Sequence, residues 1–316
     1  MLDNIEPRSV RDVALLLRTL PFLNAVALDD LTLIAENALP RRYQAGQPII
    51  LSDERGALLQ MLTYGRARVV GPDYQLNVSA PNGLGFANLV ATEPPPEAFA
   101  LTECASLEVV GDFMLRMLEE NFSFFQEALR SICNYILDRT GGLPNLTPSP
   151  RTATYSAKCK IDDTLVDRLA FIHSSVLDQA SLDAAIQLAR NAELVRFQPG
   201  DVIFEQGTPA RTWVTIVCGR TRCANEVGSV DTAYDAALGI LDCITERPRS
   251  YGVTAIDEVV AYRLHIEQLL SVLRTRPDLA MGLLRRIAHD VIRLLAATKE
   301  NGISEPMPMP SQATPQ

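Results

Sequence analysis

One stretch of the chain combines residue types that together can bind an anion. It covers residues 238–255 and reads LGILDCITERPRSYGVTA. Gly239 lets the backbone approach a ligand closely, backbone N–H groups at a helix start attract phosphate, and Arg249 offers a charge-assisted bidentate hydrogen bond. A surface turn that carries a solvated arginine fits the same letters, so the spacing alone leaves both interpretations open.

Other residue types that carry catalysis or bind metals form no constellation in the sequence. Histidine occurs only at His173, His265 and His289, and no His-x-His pair lies in a strand-like segment. No nucleophile elbow and no P-loop is present. The six cysteines form no Cys-x2-Cys pair and are predicted to pack as small hydrophobes in a reducing compartment. We therefore predict no enzymatic activity, no catalytic residue and no metal site.

The elements around the anion-binding stretch alternate between helical and strand-like patterns. Apolar residues recur at helical spacing before and after two regions of short strands, which are divided by glycine and polar turns. We predict helices over residues 10–23 (ended or bent by Pro21), 29–39, 113–137, 163–172, 181–192 and 266–299, and short strands over 41–110 and 195–261.

The two halves of the chain repeat one another, which indicates a duplication. Ordered matches of residue type recur with similar spacing, and chance does not readily produce such a set. The pairs are Tyr43–Gly46 with Phe197–Gly200, Ile49-Ile50 with Ile203-Phe204, Gly65-Arg66 with Gly219-Arg220, Pro96-Glu97 with Pro248-Arg249, and Leu101-Thr102 with Val253-Thr254.

The pattern divides the chain into four segments. Residues 1–139 and 161–300 are predicted to be the two duplicated domains. Residues 140–160 are rich in turn formers and are predicted to be a linker. Residues 301–316 contain four prolines among Ser, Gln and Met and are predicted to be disordered.

Composition limits the partners. The chain carries a net charge of −9 with a pI near 5.0, which argues against DNA because phosphate neutralisation requires clustered cations. No apolar run approaches the length of a membrane helix, and no signal peptide is visible at the N-terminus. We therefore expect a cytoplasmic protein with no membrane partner.

The chain resembles the cyclic nucleotide-binding domain family. The stretch FQPGDVIFEQG at residues 197–207, the strand that contains Trp213, and Gly219 are similar to the opening of the family's β-roll. Residues 239–255 resemble its phosphate-binding cassette, a short helix followed by an arginine. The resemblance implies an α+β fold: two tandem β-roll (double-stranded β-helix or jelly-roll) domains, each flanked by N-terminal helices and a long C-terminal helix.

The resemblance also implies which residues would bind a ligand in the second domain. They are Gly239, Ile240, Leu241, Arg249 and Ser250, and the ligand would be cyclic AMP or cyclic GMP. The family normally has glutamate where this chain has Ile240. Loss of that charged acceptor removes about 1.5–3 kcal/mol of binding energy.

The first copy of the cassette departs further from the family pattern. The alignment above places Glu97 at the arginine position, after the triple proline Pro94–Pro96. A carboxylate there would repel a phosphate, and proline has no backbone donor. We therefore predict that the first domain binds no cyclic nucleotide.

Two functions of different classes remain open. Many bacterial members of the family carry a DNA-binding module after the last helix, and we expect none here because only the proline-rich tail follows Lys299. In the first function, a non-enzymatic regulator senses a cyclic nucleotide or similar anion through Arg249, and the helix of residues 266–299 moves as a lid. In the second, both copies are ligand-free pseudo-receptors in a protein-interaction scaffold. The apolar stripe of the last helix is a candidate homodimer contact.

Overall fold

The chain folds into two compact units, which are described separately. Unit 1 comprises Met1–Ala128 and Ala288–Gln316, and unit 2 comprises Leu129–Ile287. Most of the predicted linker and the whole predicted tail lie outside the described residues. The computed structural model describes residues 9–20, 22–51, 58–91, 94–144, 162–174, 177, 181–234 and 236–300.

Unit 1 starts with two helices and continues into eight strands with a short helix before the seventh. Ser9 caps the first helix, because its hydroxyl accepts a hydrogen bond from the Asp12 backbone N–H. The elements are α1 (Val10–Leu17), α2 (Leu28–Glu36), β1 (Leu39–Tyr43), β2 (Pro48–Ile50), β3 (Leu58–Tyr64), β4 (Arg66–Val70), β5 (Gln75–Ser79), β6 (Asn82–Leu84), α3 (Phe86–Ala91), β7 (Glu97–Ala100), β8 (Cys104–Val110), α4 (Gly111–Glu120) and α5 (Phe122–Arg139), whose last part belongs to unit 2.

Unit 2 repeats this order. Its strand β11 contains Trp213, which is 1% exposed and lies in the core. The elements are α6 (Leu165–Ser174), α7 (Leu182–Asn191), β9 (Glu193–Phe197), β10 (Val202–Phe204), β11 (Thr212–Cys218), β12 (Thr221–Ala224), β13 (Ser229–Thr232), β14 (Ala237–Leu238), α8 (Ile240–Thr245), β15 (Gly252–Ala255), β16 (Val259–His265), α9 (Ile266–Thr275) and α10 (Pro277–Glu300), whose last part belongs to unit 1.

Each unit contains two four-stranded antiparallel sheets with the same strand order. The orders in unit 1 are β1-β8-β3-β6 and β2-β7-β4-β5, and those in unit 2 are β9-β16-β11-β14 and β10-β15-β12-β13. Strand by strand, the second pair is the first pair shifted by eight. The structure therefore confirms the α+β class and the tandem β-rolls.

Hydrogen bonds at equivalent turns fix the alignment of the two copies. The N–H of Gly46 donates to the carbonyl oxygen of Ala100, and the N–H of Gly200 donates to that of Ala255. Both glycines have left-handed backbone, with φ of +87° and +92°. The first three residue matches of the sequence alignment agree with this register.

The last two residue matches are wrong by about three residues. Glu97 opens β7 and pairs with Val70, whereas the equivalent position of β15 is Gly252, which pairs with Ala224. Arg249 lies three residues before Gly252, and the residue three before Glu97 is Pro94, so Pro94 takes the place of Arg249 in the first copy. Glu97 therefore does not stand at the arginine position.

Two helices predicted as single are each divided in two. Asn121 separates α4 from α5, and its side-chain oxygen accepts a hydrogen bond of 3.0 Å from the Phe124 N–H, so that it caps the new helix. Pro277 begins α10, and a proline disfavours helical backbone at the residue before it, here Arg276.

The two units also differ in extent from the two sequence-based domains. Residues 129–139 at the end of α5 fold with unit 2, and the part of α10 from Ala288 onward folds with unit 1. The buried side chain of Ile292 accordingly packs in the apolar cluster of the first roll. Each unit thus contains a helical segment that the sequence assigned to the other copy.

Candidate functional site

The candidate cassette of unit 2 is the short helix α8 and the turn that follows it. Gly239 precedes the helix with φ of +83°, a conformation that glycine adopts without steric cost. A Cβ at this position would collide with Nη1 of Arg249, so the arginine lies directly against the glycine backbone. The predicted helix-then-arginine geometry is therefore present.

The Arg249 side chain is buried, with 5% of its surface exposed. Its Nη2 donates to the backbone oxygen of Thr212 at 2.5 Å, and its guanidinium lies 3.9 Å from the ring centroid of Phe204. Its Nε and Nη1 are buried and have no hydrogen-bond partner among the described residues. The cation is thus partly satisfied by the chain and retains free donors.

A buried carboxyl group, Asp242, lies in the same cassette. One of its oxygens accepts a hydrogen bond from the Ser250 hydroxyl at 2.5 Å, while the other is buried with no partner among the described residues. Burial raises the pKa of Asp242, although the bond from Ser250 and the charge of Arg249 oppose this. The Ser250 hydroxyl is therefore already engaged.

Residues two apart along a helix do not face the same way, so spacing from Ile240 predicts that Asp242 points away from the site. The structure instead places its carboxyl group in the cassette, bonded to Ser250. Five of the six residues of α8 are buried, so the helix has almost no solvent face toward which the carboxylate could turn. Asp242 is a buried ionisable residue of the site that was not among the residues predicted from the sequence. Its position three residues after Gly239 was the available signal, since the first turn of a buried helix faces the cassette.

Tyr251 fills the interior of the second roll beside the cassette. Its side chain is 4% exposed and belongs to the apolar cluster of that roll. Its hydroxyl oxygen accepts a hydrogen bond of 2.8 Å from the Gly239 N–H, and burial raises the pKa of the phenol well above its ordinary value. The backbone donor of Gly239, which the resemblance assigned to a ligand, is therefore already bonded.

The other two predicted site residues provide no polar side chain. Ile240 is 5% exposed and packs in the core, and Leu241 lies on the least buried side of α8. The backbone oxygen of Leu241 accepts a hydrogen bond from the Thr245 hydroxyl. All five predicted residues are thus brought together in one short segment, and four of them, Gly239, Leu241, Arg249 and Ser250, make the hydrogen bonds described above.

The equivalent cassette of unit 1 contains no arginine. Counting forward from Gly85 leads to Pro95, and counting back from β7 leads to Pro94, so a proline occupies the arginine position in either case. Asn88, the counterpart of Asp242, donates to the Pro94 carbonyl oxygen and accepts from the buried Tyr74 hydroxyl. This arrangement gives a phosphate no cation, and that the first domain binds no cyclic nucleotide stays a prediction.

No further chemical site emerges from the described part of the chain. It contains no group of three or more His, Cys, Asp or Glu residues that would hold a metal ion, and none of its helices meets the length and hydropathy needed to cross a membrane. Cys218 is disulfide-bonded, so the expectation of unpaired cysteines fails there. Four other cysteines are buried and free, namely Cys104, Cys133, Cys223 and Cys243.

Several known structures resemble the chain over much of its length. The regulatory domain of Toxoplasma gondii protein kinase A with cAMP is 16% identical over 84% of this chain and 93% of its own, with a TM-score of 0.34. A regulatory subunit of a cAMP-independent protein kinase A from Trypanosoma brucei is 14% identical over 84% and 87%, with a TM-score of 0.32. The N-terminal domain of a Streptomyces coelicolor transcriptional regulator is 22% identical over 39% and 93%, with a TM-score of 0.35.

The family assignment rests on a sequence match in unit 2. Residues 194–276 match the family model of the cyclic nucleotide-binding domain. This range begins within β9, ends one residue before α10 and includes the whole cassette. No curated protein matches the chain. Residues 194–276 of this chain therefore belong to the cyclic nucleotide-binding domain family.

Proposed function

We propose that this chain is a non-enzymatic regulatory protein whose second roll is a closed, ligand-free pseudo-receptor that acts through protein partners. One observation carries the proposal: most of the groups that would bind a ligand, including one of the two terminal nitrogens of Arg249, are bonded within the chain. Tyr251 bonds the Gly239 N–H, Asp242 bonds Ser250, and the Thr212 carbonyl bonds Arg249. A nucleotide would have to break these contacts and also displace the buried Tyr251 side chain.

Charge and polarity point the same way. A carboxyl group beside the arginine disfavours a phosphate when it is ionised. Buried Ile240 cannot accept a hydrogen bond from a ribose hydroxyl, and a buried polar group without a partner is costly. A closed site of this composition is better suited to a structural role than to reversible binding of a sugar phosphate.

Exposed apolar side chains in unit 1 support a role in protein contact. Both N-terminal helices present large hydrophobic residues to solvent, which are available for contact with a protein partner. The proposal includes a protein partner or a second copy of the chain, and a cytoplasmic location. The four side chains are Val10, Leu15, Leu28 and Leu33, with exposed fractions of 37–46%.

Thermal unfolding of the full chain tests the proposal. Cyclic AMP, cyclic GMP and cyclic dinucleotides are added at 100 µM to the wild type and to Arg249→Ala. A ligand at 100 times its Kd would stabilise the folded state by about 2.7 kcal/mol, which is several degrees in Tm for a unit of this size. We expect no shift for either protein. A shift in the wild type that Arg249→Ala abolishes would contradict the proposal.

A second candidate function is the sensing of a small anion, and one observation favours it. The buried Nε and Nη1 of Arg249 have no hydrogen-bond partner among the described residues, and guanidinium N–H donors form strong charge-assisted hydrogen bonds with an anion. The same titration with inorganic phosphate distinguishes the two functions. An Arg249-dependent rise in Tm with phosphate supports sensing, and its absence supports the pseudo-receptor.

A further inference from the structure

The end of α5 is held against the cassette of unit 2 by two ion pairs. Arg130 Nη2 lies 2.6 Å from Glu246 Oε1, and Arg247 Nη1 lies 2.7 Å from Asp138 Oδ1. Glu246 and Arg247 form the turn between α8 and Arg249. Both pairs therefore attach to the backbone segment that positions the arginine.

The turn after α5 lies on Ser250. Gly141 and Gly142 both have left-handed backbone, with φ of +61° and +81°. The Asn225 side-chain amide joins the two segments, since it donates to the Gly141 carbonyl oxygen at 2.8 Å and to the Ser250 carbonyl oxygen at 3.2 Å. A Cβ at Gly142 would lie 2.6 Å from Cβ of Ser250, so only glycine allows this approach.

The next residue completes the cover. Leu143 packs against the apolar cluster that fills the second roll, the cluster that also contains Tyr251. The segment Asp138–Leu143, called the cap here, thus combines an ion pair, a glycine turn and an apolar side chain. All its contacts with the cassette lie within unit 2.

We propose that the cap is a tethered occupant of the cassette, supplied by the helix of the preceding copy, and that its release opens the Arg249 site. This inference rests on the proposed function, because it explains why the cassette is closed. A tethered segment has a high effective concentration, and the apparent affinity of a competing ligand falls in proportion to the fraction of open molecules. A partner that pulls on α5 would raise that fraction.

Two neighbouring glycines provide a matched test. Gly142→Ala and Gly141→Ala both place alanine in left-handed backbone, with more strain at Gly142 (φ +81°) than at Gly141 (φ +61°), and only the first forces a methyl group into Ser250. The methyl group at Gly141 meets the exposed side chain of Val227, which can move aside. Hydrogen exchange is measured by mass spectrometry on the full chain, in peptides that cover residues 239–251.

We expect about tenfold faster exchange of the cassette amides in Gly142→Ala than in Gly141→Ala, one decade in the opening equilibrium. Asp138→Ala removes only an ion pair at the surface and keeps the fold, and it should also accelerate cassette exchange. Arg222→Ala is its control, because it breaks the comparable Arg222–Asp231 pair away from the cap. Equal cassette exchange in Gly142→Ala and Gly141→Ala, and in Asp138→Ala and Arg222→Ala, would overturn the proposal.

The binding data separate this inference from the proposed function. If the wild type binds cyclic AMP through Arg249, the pseudo-receptor proposal fails, yet the cap stands provided that Gly142→Ala exchanges faster. If the wild type binds nothing and cassette exchange is the same in all variants, the pseudo-receptor stands and the cap fails.

Discussion

Replacement of Asp242 by asparagine tests whether the ionised form of this carboxyl group destabilises the folded protein. Asparagine keeps the shape and keeps an oxygen that accepts the Ser250 hydrogen bond. It removes the charge and replaces the other oxygen, which is buried and has no partner among the described residues, by an NH2 group. Because Asp242 is fully buried and burial raises its pKa, we expect Asp242→Asn to unfold at higher urea concentration than the wild type at pH 7.

The sign follows from proton linkage. A carboxyl group with a raised pKa in the folded state contributes full stability below its unfolded pKa, about 3.9. That contribution is lost as the pH rises through the folded pKa. The difference between Asp242→Asn and wild type should therefore grow from about pH 4 with a slope of at most about 1.36 kcal/mol per pH unit, the limit for one proton. It levels off once the folded pKa is passed.

Trp213 makes the assay specific for unit 2, because it is the single tryptophan of the chain and is buried in β11. Its fluorescence is followed in urea titrations between pH 4.5 and 8. Asp231→Asn is the control: the bond from Arg222 lowers the pKa of Asp231, so Asp231 is ionised in both the folded and the unfolded chain above about pH 5. The stability difference between that variant and the wild type should therefore stay nearly constant over most of this pH range. If Asp242→Asn behaved like Asp231→Asn, the reasoning about the cassette would be refuted.

Three further substitutions test the geometry. Gly239→Ala should destabilise unit 2 by at least about 1–2 kcal/mol, the cost of left-handed backbone for alanine, because its Cβ also collides with Arg249; unchanged Trp213 unfolding would contradict this. Tyr251→Phe leaves the Gly239 N–H without its acceptor and should lower the free energy of unfolding by about 1–3 kcal/mol in the same assay. Asn121→Ala should cost about 0.5–2 kcal/mol in thermal unfolding because α5 loses its cap, in addition to the loss of the hydrogen bond that the Asn121 amide donates to Asp30. Asn121→Ser should recover the capping part; a serine variant no more stable than the alanine variant would contradict the capping role.

The sequence determines the architecture to a large extent. Alternating apolar residues and glycine at turns such as Gly46 and Gly200 depend on local backbone geometry, which is readable from neighbouring residues. The duplication strengthens the prediction of these strands and turns, because the same pattern occurs in both copies. The two rolls, the buried Trp213 and the position of Arg249 after a short helix could therefore be predicted.

The register of the first cassette could not be predicted. Residue matching placed Glu97 at the arginine position because a Pro-charged pair recurs there. The ladder of β7 with β4 instead places a proline in that position. Pairing between strands distant in sequence sets such a register, and one sequence gives no direct view of it.

Only the tertiary structure decided which roll the last parts of the two long helices, α5 and α10, pack against. Helical periodicity shows that α5 and α10 have an apolar face, but it does not show which roll that face covers. Leu143 packs with the second roll, and Ile292 packs with the first. The sequence division at residues 139 and 161 therefore differs from the bounds of the units.

The cassette shows the same division between sequence and structure. The sequence by itself determined that Gly239, Arg249 and Ser250 lie together, since fewer than a dozen residues and one short helix separate them. Only the tertiary structure decided that Asp242 and Tyr251 face the same interior and bond these groups. Which groups share a buried space depends on packing from all sides, and a helix of six residues with five of them buried gives no periodic signal of its inner face.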